Sequence, residues 1–155
     1  MQAWLRGSIT IALVFAAFIP IQAHPPSFTP DQQQIIETVK AIFVAAKAAD
    51  MAKFESVVAP GFYLYDGGHR FDGEAIMDLM KTLHAQGKRL EWRVTEPDVH
   101  VYGNVGWIAY VNQGAVGDAS GMTEQKWLES AFLEKQGSRW KIVFMHSTRV
   151  APAVK

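Results

Sequence analysis

The segment from Trp127 to Val150 constrains the fold more than any other part of the sequence. It contains two long runs rich in apolar residues, with Val, Phe, Trp and Ile prominent, joined by Gln136-Gly137-Ser138. A short glycine-containing connection between two such runs predicts a β-hairpin. Each arm has about ten residues or more, which is longer than an average strand. We therefore expect both arms to be central strands of a curved sheet.

The residues that precede this hairpin predict helices first. Thr29 and Gln32 form a capping-box pattern around Pro30, so a helix should begin there and run to about Ala49. Asp50 can cap a second, short helix, which we expect to end at Ala59-Pro60-Gly61.

A short strand pair and a third helix follow. We predict a strand at 62–65, a turn at Asp66-Gly67-Gly68 and a partner strand at 69–71. Asp72 then caps a helix with a one-sided apolar stripe, which should end at Gly87.

After Gly87 the apolar period changes from that of a helix to that of a strand. Pro97 interrupts the first strand and predicts an edge or a bulge. Gly103-Asn104 predicts a turn, and residues 114–121 predict a looser hairpin loop.

Strands collected after helices predict an α+β domain, with three helices packed on one face of a curved sheet. A curved sheet with helices on one side forms a cone, and the interior of that cone is the default ligand site.

The N-terminus has the pattern of a secretory signal. Residues 1–23 contain Arg6, an apolar stretch too short to span a bilayer, and a small residue, Ala23, at a possible cleavage site. We predict a signal peptide at 1–23, a linker at 24–29, one domain at 30–150 and a tail at 151–155, in a periplasmic or secreted protein. A retained membrane anchor is the alternative. The remaining 155 − 23 = 132 residues suit one domain, which without cysteine must rely on its own core.

The order of elements and several local motifs resemble the nuclear transport factor 2-like superfamily, from about Pro30 to Val150. The segments 96–103, 108–110, 129–132 and 139–147 look most like the association domain of calcium/calmodulin-dependent kinase II and its bacterial SnoaL-like relatives. The resemblance implies a cone-shaped α+β fold and a homodimer. The arginines that line the kinase pocket are replaced here by Asn112, Ala131 and Ser147, so binding of a small carboxylate is not inherited.

Two residues are candidates for acid–base chemistry, and the strand register decides between them. In one register Glu129 shares a face with Trp127, where desolvation would raise its pKa toward the range of a general base. The alternative is an ion pair with Lys126 or Arg139, or exposure at the sheet rim. His146 belongs to the row of Trp140, Ile142 and Phe144, and we expect its imidazole to be part-buried, either in the core or at an interface or facing the cone. A shift of one residue in the strand register would exchange the two faces of the sheet, so the register decides which of these residues faces the cone.

Several large or polar residues are candidates for the pocket wall, although core packing alone explains most of them equally well. The candidate ligand-binding residues are Tyr63, Tyr65, Trp92, Tyr110, Asn112, Trp127 and Ser147. Tyr110 and Asn112 occupy one strand face and could orient a ligand by hydrogen bonds. Asp66 and His69 flank a turn near the expected mouth of the cone, where a plain turn is the alternative.

The sequence therefore predicts an exported, homodimeric protein that binds a small apolar or aromatic molecule. One alternative is a cofactor-free isomerase, dehydratase or cyclase that uses Glu129 or His146 as a general base, and another is an assembly module with a vestigial pocket.

We expect no metal site, because the histidines are not clustered, and no cofactor. We expect no nucleic-acid partner, because the chain after residue 23 has 14 basic and 15 acidic residues and no basic run, and no membrane contact after signal cleavage.

Overall fold

The computed structural model of the protein describes residues 27–151. The predicted signal peptide lies outside these residues, as do residues 24–26 of the predicted linker and 152–155 of the predicted tail. The described helices are α1 (Pro30–Ala48), α2 (Met51–Val57) and α3 (Gly73–Ala85). The strands are β1 (Val58–Asp66), β2 (His69–Asp72), β3 (Arg89–Tyr102), β4 (Val105–Asp118), β5 (Gly121–Gln136) and β6 (Arg139–Arg149). Within this range no helix combines the length and the apolar character needed to cross a membrane.

The helices begin where side chains can bind their free backbone N–H groups. Thr29 and Gln32 form the predicted capping box at α1. Asp50 accepts a hydrogen bond from the backbone N–H of Lys53 at α2, and Asp72 accepts one from Ala75 at α3. The three predicted helix starts are therefore confirmed.

The strands form one six-stranded sheet in the order β2-β1-β6-β5-β4-β3. Only the β1–β6 pair is parallel, so the sheet is mixed. The predicted hairpin of β5 and β6 lies in the middle of the sheet, as its length indicated. The helices pack on the concave face, so the predicted α+β cone is confirmed.

The main core lies between α1 and the concave face of the sheet. Ile35 and Val39 of α1 are fully buried, as are Ile108, Leu133 and Ile142 of the central strands. Trp140 closes one end of this layer, where its indole N–H donates a hydrogen bond to Asp31 of α1 over 3.0 Å. Burial of these apolar side chains is the main stabilising contribution to the fold.

Two β-bulges change the direction of side chains along the long strands. The first is the one predicted at Pro97: pairing with β4 shifts between Thr95 and Asp98, and Glu96 has a φ of 52°. The second lies in β6, where Ile142 pairs with Leu133 but Phe144 pairs with Phe132. The extra residue reverses the alternation, so that Ile142 and Met145 face the core while Phe144 faces outward.

Two predicted boundaries are wrong. The segment Ala59-Pro60-Gly61 does not end α2 but belongs to the irregular start of β1, whose pairing with β6 shifts between Val58 and Tyr63. Residues 114–121 are not a loose loop, because β4 continues to Asp118 and β5 begins at Gly121. Gly117 permits this close pairing, since a Cβ atom there would lie 2.0 Å from the backbone oxygen of Gly121, and Gly114 lets β4 lie equally close to β3, where a Cβ atom would lie 1.8 Å from the backbone oxygen of Glu91.

Candidate functional site

A cavity of about 260 Å³ lies between the concave face of the sheet and the helices. Most of its wall is aliphatic or aromatic, and among the described residues only Asp66, Glu129 and Ser147 contribute carboxylate or hydroxyl groups to it. The apolar lining residues are Ile42, Phe43, Ala46, Phe54, Phe62, Leu64, Phe71, Ile76, Leu79, Met80, Leu83, Leu90, Trp92, Trp127 and Met145. An apolar hollow with a few convergent polar groups is the usual form of a small-molecule site.

The three polar groups of this cavity belong to one row of paired residues, which continues onto a fourth strand behind the cavity wall. Asp66 of β1 pairs with Ser147 of β6, Ser147 pairs with Glu129 of β5, and Glu129 pairs with Tyr110 of β4. We call Asp66, Ser147, Glu129 and Tyr110 the polar row. Because paired residues on one face stand side by side, the row brings together residues 81 positions apart in the chain.

Glu129 is the most constrained member of the polar row. Only 9% of the surface of Glu129 is exposed to solvent. The Ser147 hydroxyl donates to Oε1 over 2.9 Å, and the Asn112 amide donates to Oε2 over 3.0 Å. Asn112 is fully buried and is itself fixed, because its Oδ1 accepts the backbone N–H of Arg93 over 3.1 Å. These contacts hold the carboxyl group in one orientation at the cavity wall.

The surroundings of Glu129 raise its pKa. Burial is the main cause, because it disfavours the charged form, and the negative charge of Asp66 adds to the effect. The nearby donors, Tyr110, Ser147 and Asn112, lower the pKa and offset part of the increase. The carboxyl group is therefore a stronger proton acceptor than an exposed glutamate.

Tyr110 completes the polar row with a buried hydroxyl. Burial raises the pKa of this phenol well above its ordinary value, and the charge of Glu129 raises it further. Within the described residues the hydroxyl forms no hydrogen bond of acceptable geometry. The phenol thus remains neutral, and its hydroxyl lies close to the carboxyl group of Glu129.

The structure places six of the predicted site residues at or behind the cavity wall. Trp92, Trp127, Glu129 and Ser147 line it directly. Tyr110 and Asn112 lie behind Glu129 on the same side of the sheet. Glu129 thus shares a face with Trp127, and its contacts to Asn112 and Ser147 take the place of the alternative ion pair with Lys126 or Arg139.

The other three predicted site residues lie on the opposite face of the sheet. Tyr63 and Tyr65 pack against Phe144, with ring centroids 4.9 and 5.7 Å apart, and do not reach the cavity. His146 is exposed in the single chain, so it lies neither in the core nor at the cone, and its predicted alternative position at an interface stays a prediction. The reason is the bulge in β6, which separates His146 from the buried residues Trp140 and Ile142.

β1 contributes more to the cavity than its sequence pattern indicates. Phe62, Leu64 and Asp66 alternate along this strand and all line the cavity, whereas we assigned the wall to Tyr63 and Tyr65. Both faces of β1 carry large residues, so alternation alone does not distinguish them. The parallel pairing of Asp66 with Ser147 settles the question, and no local pattern indicates that pairing.

Among the residues that the structure describes, the cavity wall contains no Lys, Arg or His. Residues 27–151 also contain no group of three or more His, Asp or Glu side chains placed to hold a metal ion. The site can therefore offer hydrogen-bond acceptors, a proton acceptor and aromatic surface to a ligand.

Solved structures with the same fold are numerous. The chain is similar to the CaMKII hub of S. rosetta, with 15% identity and a TM-score of 0.65 over 81% of this chain and 100% of that one. It is similar to an NTF2-like protein from Cytophaga hutchinsonii, with 9% identity and a TM-score of 0.66 over 79% and 100%. A ketosteroid isomerase-like protein from Erwinia carotovora atroseptica has 14% identity and a TM-score of 0.63 over 81% and 100%. At these identities the likeness shows the fold alone.

Sequence comparison identifies the family. No curated protein matches the sequence. The family model of the SnoaL-like domain, however, matches residues 35–152, which include α1 from its second turn, the whole sheet and every residue of the polar row. The chain therefore belongs to the SnoaL-like domain family, within the nuclear transport factor 2-like superfamily.

Proposed function

We propose that this protein binds a small apolar or aromatic molecule in the cavity between its helices and its sheet. The observation that carries the proposal is the composition of the wall, which is apolar except for one cluster of fixed polar groups. A cavity of about 260 Å³ would hold about nine water molecules at about 30 Å³ each. Release of this water from an apolar wall favours a ligand of similar size.

A thermal-shift screen with steroids, phenols and short acids tests this function. A ligand that binds only the folded protein raises the melting temperature by mass action. Leu64→Trp should fill the cavity and abolish the shift, because Leu64 lines the wall. Val44→Trp is the control, because Val44 lies on α1 and is 52% exposed. Equal shifts in the two variants would place the ligand elsewhere.

A second candidate function is a cofactor-free isomerase, dehydratase or cyclase. It is favoured by the buried carboxyl group of Glu129, which lies at the cavity wall and has a raised pKa. Glu129 would remove a proton from the carbon beside a substrate carbonyl, while Asn112, which lies behind it, would hold the carboxyl group in place. Glu129→Gln should then abolish turnover of a ketone substrate without loss of ligand binding, while Glu129→Asp should retain part of the activity.

We also propose a homodimer that forms through the outer face of the sheet. Paired residues form an aromatic row there, from Tyr63 through Phe144, Phe132 and Trp107 to His100. Phe132 is 41% exposed, and an apolar surface of this kind is typical of an interface. Some proteins of similar fold are named as hub or association domains.

Phe132→Glu should convert the dimer to a monomer, as measured by light scattering, whereas Val44→Glu should leave the dimer intact. If the dimer forms but no ligand binds, the protein is better described as an assembly module.

Export is the remaining part of the proposal. Residues 1–23 have the pattern of a cleaved signal, so the mature protein in the periplasm or medium should begin at His24. N-terminal sequencing of the protein recovered from these fractions tests this, and an intact Met1 on a membrane-bound form would support the anchor instead.

A further inference from the structure

We propose that the ligand of the cavity is a small organic cation, namely a protonated amine with an apolar body. This inference rests on the proposed binding function and assigns the chemical class of its ligand. It follows from the charges at the wall: two carboxyl groups, Asp66 and Glu129, face a cavity whose described lining contains no basic residue. A buried negative group without a positive partner is unfavourable, and a cationic ligand would supply that partner.

The spacing of the two carboxyl groups suits one ammonium group. Asp66 and Glu129 occupy β1 and β5, and β6 lies between them with Ser147 in register with both. Two strand spacings separate their backbones, which is roughly 10 Å. Both side chains point to the same side of the sheet, so a nitrogen placed over Ser147 can approach both carboxyl groups.

The carboxyl groups also have free positions for donors. Each oxygen of Glu129 accepts one hydrogen bond, from Ser147 or Asn112. A carboxylate offers about four acceptor positions, so about two remain. Among residues 27–151 the Asp66 side chain takes part in no ion pair or side-chain hydrogen bond. An ammonium group has three donors and could bind both residues.

The rest of the wall suits the body of such a ligand. Phe43, Phe62, Phe71, Trp92 and Trp127 surround the cavity with aromatic rings. Aromatic faces attract cations as well as apolar groups. An anionic ligand would instead face two carboxyl groups with no positive charge nearby, and a neutral one would lack the stronger, charge-assisted hydrogen bonds.

Three probes of similar size and different charge test the inference. Calorimetry on the full-length protein near neutral pH should compare 2-phenylethylammonium, 2-phenylethanol and phenylacetate. A charge-assisted hydrogen bond should make the amine bind roughly tenfold to a hundredfold more tightly than the alcohol. Phenylacetate should bind most weakly. If the alcohol or the acid binds as well as the amine, the inference is wrong but the binding function stands. If none of the three binds, both are wrong.

Two variants and a control locate the charge preference. Glu129→Gln keeps the shape of the side chain and should reduce the preference for the amine over the alcohol at least tenfold, with little change for the alcohol. Asp66→Asn should also reduce the preference for the amine over the alcohol. Glu124→Gln makes the same change at an exposed position on β5 outside the cavity and should leave it unchanged. Circular dichroism confirms that each variant is folded. A preference that survives both Glu129→Gln and Asp66→Asn would overturn the assignment.

Discussion

The buried carboxyl group of Glu129 makes the stability of this protein depend on pH in a predictable direction. Burial raises the folded-state pKa of Glu129 above its ordinary value of 4.5. Between these two pKa values the folded protein binds a proton that the unfolded chain has released. The free energy of unfolding therefore falls as pH rises through this window, and the loss is complete above the folded-state pKa. Glu129→Gln cannot titrate and should not show this decrease.

The magnitude follows from the same linkage. Each unit by which the folded-state pKa exceeds 4.5 lowers the free energy of unfolding above the window by about 1.4 kcal/mol. Tyr110 stays neutral throughout, because burial raises its pKa well above 10.0. The charge of Asp66 raises the pKa of Glu129, so Asp66→Asn should narrow the pH range over which the free energy of unfolding falls.

Urea denaturation at a series of pH values from about 4 to 8 measures this effect. The stability of Glu129→Gln relative to the wild type should increase as pH rises. Glu124→Gln, at an exposed position of the same strand, should instead follow the wild type. Parallel curves for the wild type and Glu129→Gln would refute the reasoning, because they would mean that the carboxyl group has the same pKa in the folded and unfolded chains.

Further substitutions test the register of β5, the close approach of β4 to β3 and the cap of α3. Leu133→Ala should lower the free energy of unfolding by about 2–5 kcal/mol, because Leu133 is fully buried. Phe132→Ala on the outer face should cost much less in the monomer, and equal losses in urea denaturation would contradict the register of β5. Gly114→Ala should cost about 1–3 kcal/mol, measured in the same way, because its methyl group would overlap the backbone of β3. Asp72→Ala removes the cap of α3 and should cost about 1 kcal/mol in thermal denaturation, while Asp72→Asn should retain most of the stability.

The parts of the fold that depend on neighbours in sequence could be predicted. The helix starts at Thr29, Asp50 and Asp72 follow from a side chain and the backbone three residues away. The bulge at Pro97 follows from the missing N–H of proline. The length of the two final strands indicated a curved sheet, and the order of elements then indicated the family.

The parts that depend on distant pairing could not be predicted. The outward direction of His146 results from one extra residue in β6, and the apolar row from Trp140 gives no sign of it. Residues 114–121 look like a loop because they are small, whereas their size is what lets β4 approach β3 and β5 closely. The importance of Asp66 depends on the parallel contact between β1 and β6, which the local sequence does not encode.

The position of β6 also has a consequence for biosynthesis. β6 is the last of the described strands in the chain, yet it is not an edge strand: it joins β1 to β5 and supplies Ser147. Until β6 is made, no strand of the described sheet joins the β1–β2 pair to the β3–β5 meander. We therefore expect the nascent chain to remain incompletely folded until β6 has been made, and a chain that stops before Arg139 should not form the joined sheet.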